Sequence, residues 1–200
     1  MVHAPVESFV RNSRRILNTP VAPHRLARIA GSAPQAVKEY AVKWLDIYHA
    51  PGNSCFAMPM ASESVVTRVE LTDSVELVME CEVEVTAEML DAEGKAANSF
   101  LFSVIDEATS SAVTAIDFAS RGPDAVSGVS LYLNTSFHNP AYLCVGSVLR
   151  FICTARPSVG GVTNCTCEVF DAKTSRLVAT GVFSGMAQRI SAGSLPASRL

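Results

Sequence analysis

The sequence predicts an α+β domain in which one antiparallel sheet curls around a long buried helix. Residues 75–85 alternate apolar and acidic side chains, with the period of a strand that is buried on one face. Residues 99–119 are apolar around most of a helical circumference, which is typical of a buried helix. Further strand-like segments follow without helices between them, so the order of elements excludes an alternating βαβ arrangement.

A shorter helix and two strands are expected before the long helix. Residues 34–48 place their apolar side chains on one helical stripe, and Pro51 and Gly52 end the pattern. Residues 65–71 and 75–85 predict two strands. Four glutamates of the second strand point away from its apolar residues, so we expect a solvated sheet face rather than a catalytic or metal site there. These glutamates are Glu76, Glu80, Glu82 and Glu84.

The long helix carries the most informative anomaly of the sequence. Asp106 and Glu107 interrupt its apolar circumference, and Asn98 or Ser99 is expected to cap its first turn. Strands in a meander should follow, separated by segments rich in Pro, Gly, Asn and Asp. The predicted strands are Val126–Phe137, Val145–Ala155, Val162–Phe170 and Leu177–Met186.

Length and composition restrict the class of protein. The 200 residues fit one domain, and 48% hydrophobic with 18% charged residues is too apolar for a disordered chain. No window reaches the roughly 18 apolar residues of a membrane-spanning helix, so no membrane span is expected. The net charge of −3 argues against nucleic acid as a partner.

The charge is unevenly distributed along the chain. Residues 1–37 hold five arginines and only one acid, Glu7, so the rest of the chain is acidic. An amphipathic, Arg-rich start is typical of a mitochondrial transit peptide, although an N-terminal helix that packs on the body is the alternative. We therefore divide the chain into a basic N-terminal extension (1–33), a folded domain (34–190) and a flexible tail (191–200).

The C-terminus contains a possible signal for a different cellular location. Ser198-Arg199-Leu200 is a conservative variant of the peroxisomal Ser-Lys-Leu signal. The expected location is therefore mitochondrial, with a peroxisomal one as the alternative. Whether residues 1–33 are cleaved stays open.

Six cysteines lie mostly in apolar, strand-like runs. None has the spacing of a zinc finger, so no metal site is expected and the thiols should be reduced and buried. Cys165 and Cys167 are two residues apart and should face the same side of a strand. The others are Cys55, Cys81, Cys144 and Cys153.

Residues 63–188 resemble the hotdog-fold acyl-CoA thioesterases of the phenylacetic-acid type. That family reads Asn-x-x-Gly-x-x-His-Gly-Gly, then an apolar run and an acid in the buried helix; here the matching segment is 91–108. A second family block, with Gly-Val-Ser and Pro-Ala, matches 128–141, and the last, Ala-x-Gly, matches 179–181. The departures are Asp91 for the family Asn, Ala97 for the His, and Asn98-Ser99 for the two glycines.

The resemblance implies a hotdog fold and hydrolysis of a fatty or aryl acyl-CoA thioester. Coenzyme A would be part of the substrate and no further cofactor is expected. The resemblance also implies a homodimer or tetramer with its sites between subunits.

The resemblance also assigns roles to single residues. Asp106 would be the base, with a pKa raised by the apolar helix, and Ser130 would hydrogen-bond the water or the acid from the adjoining subunit. The backbone amides of Asn98 and Ser99 would hold the oxyanion at a helix N-terminus. Asp91 would orient substrate or water, at the risk of repelling Asp106.

Three residues are candidates for contacts with coenzyme A. His138 and Asn139 lie where the family lines the coenzyme A channel, and Arg121 could meet a phosphate. A surface role explains each of them equally well.

Two other functions remain open because the family His and Gly-Gly are missing. The protein could bind acyl-CoA without hydrolysing it, or serve as a structural subunit of a mitochondrial assembly.

Overall fold

The computed structural model describes residues 3–50, 64–72, 76–122, 125, 129–138 and 143–186, with side chains from Arg11 onward. Within the described residues, three helices come first, then two strands, a long helix and four strands. The helices are α1 (His3–Asn18), α2 (Pro23–Leu26), α3 (Gln35–Tyr48) and α4 (Asn98–Arg121). The strands are β1 (Val65–Leu71), β2 (Leu77–Glu84), β3 (Val129–Phe137), β4 (Val148–Val159), β5 (Val162–Asp171) and β6 (Leu177–Met186).

The strands form one antiparallel sheet in the order β1-β2-β4-β5-β6-β3. The expectation of an α+β hotdog fold, with a sheet curled around a long helix, is confirmed. The expected meander is correct for β4, β5 and β6 but wrong for β3. Because β2 already pairs with β4, the strand β3 lies beside β6 at the far edge of the sheet.

The strand β4 is longer than the sequence predicts. The sequence predicts that β4 ends at Ala155, before Pro157, but the strand continues to Val159. A register irregularity between Arg156 and Val159 accommodates the proline, which a regular central strand would not. Gly160 and Gly161 then turn the chain with positive φ angles of 62° and 87°, as tight hairpins require.

The core lies between α4 and the sheet. Phe100, Leu101, Ile105 and Ile116 of α4 are fully buried, as expected for a helix that is apolar around most of its circumference. Gly181 of β6 allows the helix to come close, because a Cβ at this position would lie 2.5 Å from Cγ2 of Ile105. The helix is thereby fixed against β6 at the residue that precedes Asp106.

Residues 21–33 pack onto this core. Val21, Leu26, Ile29 and Ala33 are buried. The N–H of Ala30 donates to Thr67 (2.9 Å), and its carbonyl accepts from the N–H of Val69 (3.0 Å). This short parallel contact covers part of the β1 edge of the sheet.

The helix α1 contacts α3 through its last turn. Nζ of Lys43 donates to the carbonyl of Leu17 at 2.9 Å, while Arg11, Arg14 and Arg15 are exposed. Among the described residues, no helix is both long enough and apolar enough to span a membrane.

The outer face of β2 is solvated, as predicted, and its glutamates are also ion-paired. Glu80 lies 3.8 Å from Nε of Arg68, Glu82 pairs with Arg150 at 3.0 Å, and Glu76 pairs with Arg156 at 2.7 Å. These carboxylates are engaged on the side of the sheet that faces away from α4.

Candidate functional site

Three consecutive residues in the middle of α4 face three different neighbours. Successive helical residues are turned by about 100°. Ile105 therefore packs on Gly181 of β6, Asp106 points to β3, and Glu107 points to α3. The two carboxylates that the sequence singles out thus lie in separate surroundings.

Asp106 contacts Ser130, the serine to which the family resemblance assigns a role at the site. The hydroxyl of Ser130, at the start of β3, donates to Oδ1 of Asp106 at 3.3 Å. Asp106 is half-buried and Ser130 is exposed. The resemblance led us to expect that this serine bonds the water or the acid from the adjoining subunit; within the single chain described, it contacts the acid of its own chain.

The environment of Asp106 suits a base. Burial raises the pKa of its carboxyl, and the negative charge of Glu107 adds to that increase. The hydrogen bond from Ser130 acts in the opposite direction because it stabilises the charged form. A carboxylate with a raised pKa binds a proton more readily, and Ser130 fixes its orientation.

The N-terminus of α4 is not capped as predicted. The capping residue is Ala97, which has no side-chain oxygen, and the helix begins with Asn98. The capping prediction is therefore wrong: Asn98 and Ser99 already belong to the first turn. Their side chains are exposed, and their N–H groups have no acceptor within the helix. Among the residues that the structure describes, no hydrogen bond to another element engages these amides, so they can bind an anionic oxygen.

Asp91 is engaged in its own loop. Its Oδ1 accepts hydrogen bonds from the N–H groups of Glu93 (2.9 Å) and Lys95 (3.1 Å). The side chain is exposed, and the causes that raise the pKa of Asp106 do not include it. The structure therefore gives Asp91 a loop-stabilising contact and does not bring it to Asp106.

Two of the three candidate coenzyme A residues lie away from Asp106. Arg121 forms an ion pair with Asp117 in the last turn of α4, about 22 Å along the helix from Asp106. His138, next to the end of β3, lies 3.0 Å from the hydroxyl of Thr180 and is exposed. The structure does not join Arg121 or His138 to Asp106 within one chain. Asn139 lies outside the described residues.

Sequence reasoning missed His49. This residue follows α3, and its Nε2 lies 3.2 Å from Oε2 of Glu107. A glutamate inside an apolar helix signals a need for a partner, because an unpaired buried charge is costly. Nothing in the sequence shows that the partner is a histidine 58 residues earlier.

The thiols on the inner face of the sheet are free and buried. Cys81, Cys153, Cys165 and Cys167 belong to this group, and Cys144 is exposed. Burial raises the pKa of the thiols of Cys81 and Cys165, which suits small apolar side chains rather than nucleophiles. Cys165 and Cys167 face the same side of β5, as predicted, whereas Cys55 lies outside the described residues.

The β3 edge is apolar and exposed where it passes the candidate site. Val129, Leu131 and Tyr132 are 44%, 52% and 53% exposed, on both sides of Ser130 in the chain. Val182 and Met186 of the neighbouring strand β6 add 48% and 44% exposed side chains. Such a patch on an unpaired edge strand is a typical contact surface.

Comparison with known proteins identifies the architecture. No protein-family model matches the sequence, and no curated protein matches it. Among solved structures, zebrafish thioesterase superfamily member 2 is similar with a TM-score of 0.58 and 17% identity, over 74% of this chain and 98% of that one.

Two bacterial structures are similar as well. One is a putative thioesterase, a phenylacetic acid degradation-related protein from Ralstonia eutropha JMP134, with a TM-score of 0.53, 23% identity and coverage of 74% of this chain and 98% of that one. The other is a hypothetical thioesterase protein with coenzyme A from Streptococcus pneumoniae TIGR4, with a TM-score of 0.53, 12% identity and coverage of 64% and 88%. These likenesses show that the chain has the hotdog fold of the thioesterase superfamily structures.

Proposed function

We propose that the protein is an acyl-CoA thioesterase, which hydrolyses a fatty or aryl acyl-CoA thioester to the free acid and coenzyme A. The observation that carries this proposal is the half-buried Asp106 in contact with Ser130. The fold is shared with a hypothetical thioesterase that was crystallised with coenzyme A.

The proposed reaction uses Asp106 as a general base. Its carboxylate takes a proton from water while the water oxygen attacks the thioester carbonyl carbon. The amides of Asn98 and Ser99 stabilise the negative charge that develops on the carbonyl oxygen. The C–S bond then breaks, the coenzyme A thiolate leaves, and it recovers the proton from Asp106. Ser130 orients the carboxylate, and Asp91 contributes by keeping the loop before α4 in shape.

Helix geometry supports a proposed site that is shared between two copies of the chain. The first-turn amide of Ser99 and the carboxylate of Asp106 are seven residues apart, which is about 10 Å along the helix. A base-bound water and an oxyanion donor must both lie about 3 Å from the same reacting group. The proposed site therefore combines the α4 N-terminus of one copy with Asp106 of another.

The exposed β3 edge is the surface on which we propose that the second copy binds. An edge strand offers unpaired N–H and C=O groups, and here it also offers the apolar side chains of Leu131 and Tyr132. Pairing through β3 yields a homodimer, and two such dimers yield a tetramer. In either assembly Arg121, His138 and Asn139 are proposed to meet the coenzyme A part of the substrate.

A panel of acyl-CoA esters tests the proposed function. The purified chain is assayed for release of free coenzyme A thiol from acetyl-, octanoyl-, palmitoyl- and phenylacetyl-CoA. We expect turnover of at least one ester and a loss of about 100- to 10,000-fold in kcat for Asp106→Ala, the range of general acid–base catalysis. A folded wild-type protein without turnover on any ester would refute the proposal.

A second candidate is an acyl-CoA binder without activity. It is favoured by Ala97, which offers no imidazole, and by the side chains of Asn98 and Ser99 at the mouth of the oxyanion site. Saturable binding of palmitoyl-CoA without hydrolysis would support this candidate. If neither coenzyme A nor palmitoyl-CoA raises the melting temperature, the candidate fails.

We propose a mitochondrial location, with a peroxisomal one as the alternative. The exposed arginines of α1 support the first, since Val21 is the first buried residue among those whose side chains are described. Fluorescent fusions test it: removal of residues 1–18 should abolish mitochondrial import. If only the removal of Ser198-Arg199-Leu200 changes the location, the peroxisomal signal is the functional one.

A further inference from the structure

A buried polar pair joins the end of α3 to the middle of α4. Nε2 of His49 lies 3.2 Å from Oε2 of Glu107, and the side chains are only 10% and 8% exposed. An ionised carboxylate only accepts hydrogen bonds, so the imidazole is the donor in this contact. Because a buried carboxylate without a donor is costly, the pair restrains both elements.

The pair acts at the residue next to the proposed base. Glu107 faces α3 because it is turned by about 100° from Asp106 on the helix. The contact with His49 therefore resists rotation of α4 about its axis. On the other side, the close approach of Ile105 to Gly181 resists movement of α4 towards the sheet. Asp106 lies between these two restraints, with its carboxylate held at Ser130.

The charge of Glu107 also reaches Asp106. Burial is the main cause that raises the pKa of Asp106, and the charge of Glu107 raises it further. The groups that face Glu107 are His49 from α3, the buried Cys81 thiol from β2 and Asp106 from α4 itself. Burial raises the pKa of Cys81 and keeps it neutral, so His49 is the strong donor that the described residues offer to Glu107.

We propose that His49 and Glu107 form a positioning pair for Asp106, in which His49 holds Glu107 and Glu107 in turn sets the orientation and the electrostatic surroundings of the neighbouring carboxylate. The proposal rests on the proposed function, in which Asp106 is the base. Neither member of the pair touches the substrate in this account. They act through Asp106, whose strength as a base depends on its surroundings.

The first test reads Asp106 directly and needs no turnover. Carbon-13 NMR follows the titration of the Asp106 carboxyl in the wild type and in Glu107→Gln, with Asp106→Asn to assign the signal. We expect the midpoint to fall in Glu107→Gln, because the negative charge beside Asp106 is removed while the shape of the side chain is kept. An unchanged midpoint in the folded variant overturns the proposal.

The second test separates positioning from stability. His49→Gln keeps a donor for Glu107, whereas His49→Leu removes it. We expect His49→Leu to lower kcat by about tenfold or more with KM within about twofold, because small displacements of a catalytic group are costly. His49→Gln should recover most of the loss. Equal losses in the two variants overturn the proposal.

The matched control is Asp46, which lies in α3 just before His49. Asp46→Asn breaks the ion pair of Asp46 with Arg25 at 2.9 Å, which ties α2 to α3. It should leave both kcat and the titration of Asp106 unchanged; a change like that in His49→Leu would mean general loosening of α3. If His49→Leu does not fold, the titration of Glu107→Gln still decides the question. If the wild type has no activity, the proposed function fails, but the titration still tests the pair.

Discussion

Asp106 and Glu107 are neighbours in the chain with opposite surroundings. Asp106 is half-buried, faces the exposed β3 edge and is contacted by a hydroxyl. Glu107 is buried against α3 and is contacted by an imidazole. The difference teaches that one step of about 100° on a helix can separate an accessible acid from a purely internal one. We therefore assign chemistry to Asp106 and positioning to Glu107.

Substitution of Glu107 and of Asp106 should give the largest difference between two variants in the free energy of unfolding. Glu107→Leu leaves the imidazole of His49 buried without its acceptor, so we expect the free energy of unfolding to fall by about 3 kcal/mol. Asp106→Leu should change it by less than about 1 kcal/mol, because this side chain is half-buried and its contact is to an exposed serine. Urea denaturation measures both. The double variant His49→Leu/Glu107→Leu should recover most of the loss, and equal effects at the two acids would contradict the assignment.

A clash introduced at Gly181 should disturb the helix that carries both acids. Gly181→Ala places a Cβ 2.5 Å from Cγ2 of Ile105, so we expect a loss of about 1–3 kcal/mol in the free energy of unfolding. Thermal or urea denaturation measures it. The control is Gly181→Ala/Ile105→Ala, in which the clashing methyl group is gone. The double variant should lose less than the sum of the two single variants, whereas additive losses would mean that this contact does not position α4.

Removal of the hydroxyl at Ser130 should have a smaller effect on the reaction. Ser130→Ala removes one hydrogen bond to the Asp106 carboxylate, so we expect kcat to fall about tenfold, or about 1.4 kcal/mol. The pKa of Asp106 should rise, because the lost bond favoured its charged form. The acid side of the pH–rate profile should therefore move to higher pH. Ser136→Ala, at another exposed serine of β3, is the control, and the same effect there would contradict the role of Ser130.

The smallest expected effect is on the pH dependence of stability. The pKa of Asp106 in the folded protein is raised above its ordinary value of 3.8, so the folded state binds this proton more tightly than the unfolded state. The resulting stabilisation is complete below pH 3.8 and is lost as the pH rises through the higher folded-state pKa. Asp106→Asn lacks this loss. The melting temperature of Asp106→Asn minus that of the wild type should therefore be larger at neutral pH than at pH 3. A difference that does not depend on pH would contradict the raised pKa of Asp106.

Local pattern was sufficient to predict most of the fold. The alternation along β2 reflects burial of one face of the strand, and the apolar circumference of α4 reflects burial around most of the helix; sequence alone records both. The position of β3 beside β6 is set by pairing between distant segments, and the continuation of β4 past Pro157 depends on an irregularity in its partner register. Neither the position of β3 nor the continuation of β4 can be recognised from the local sequence.

In the candidate site, too, the sequence predicts some residues but not those whose contacts depend on tertiary packing. Asp106 was identifiable because a charge stands out in an apolar helix, and the resemblance paired it with Ser130. His49 was not identifiable, because its contact to Glu107 depends on how α3 packs against α4. The loop role of Asp91 was missed because its hydrogen bonds are to backbone groups, which residue types do not reveal.

The central claim is that the acid facing Ser130, and not its neighbour, carries the chemistry. The most direct test compares the release of coenzyme A by the wild type, Asp106→Asn and Glu107→Gln on the best acyl-CoA ester of the panel, each at the pH of its maximum rate. We expect Asp106→Asn to lose at least about 100-fold in kcat and Glu107→Gln to lose no more than about tenfold. If Glu107→Gln loses as much as Asp106→Asn, or if Asp106→Asn retains wild-type turnover, the claim is contradicted.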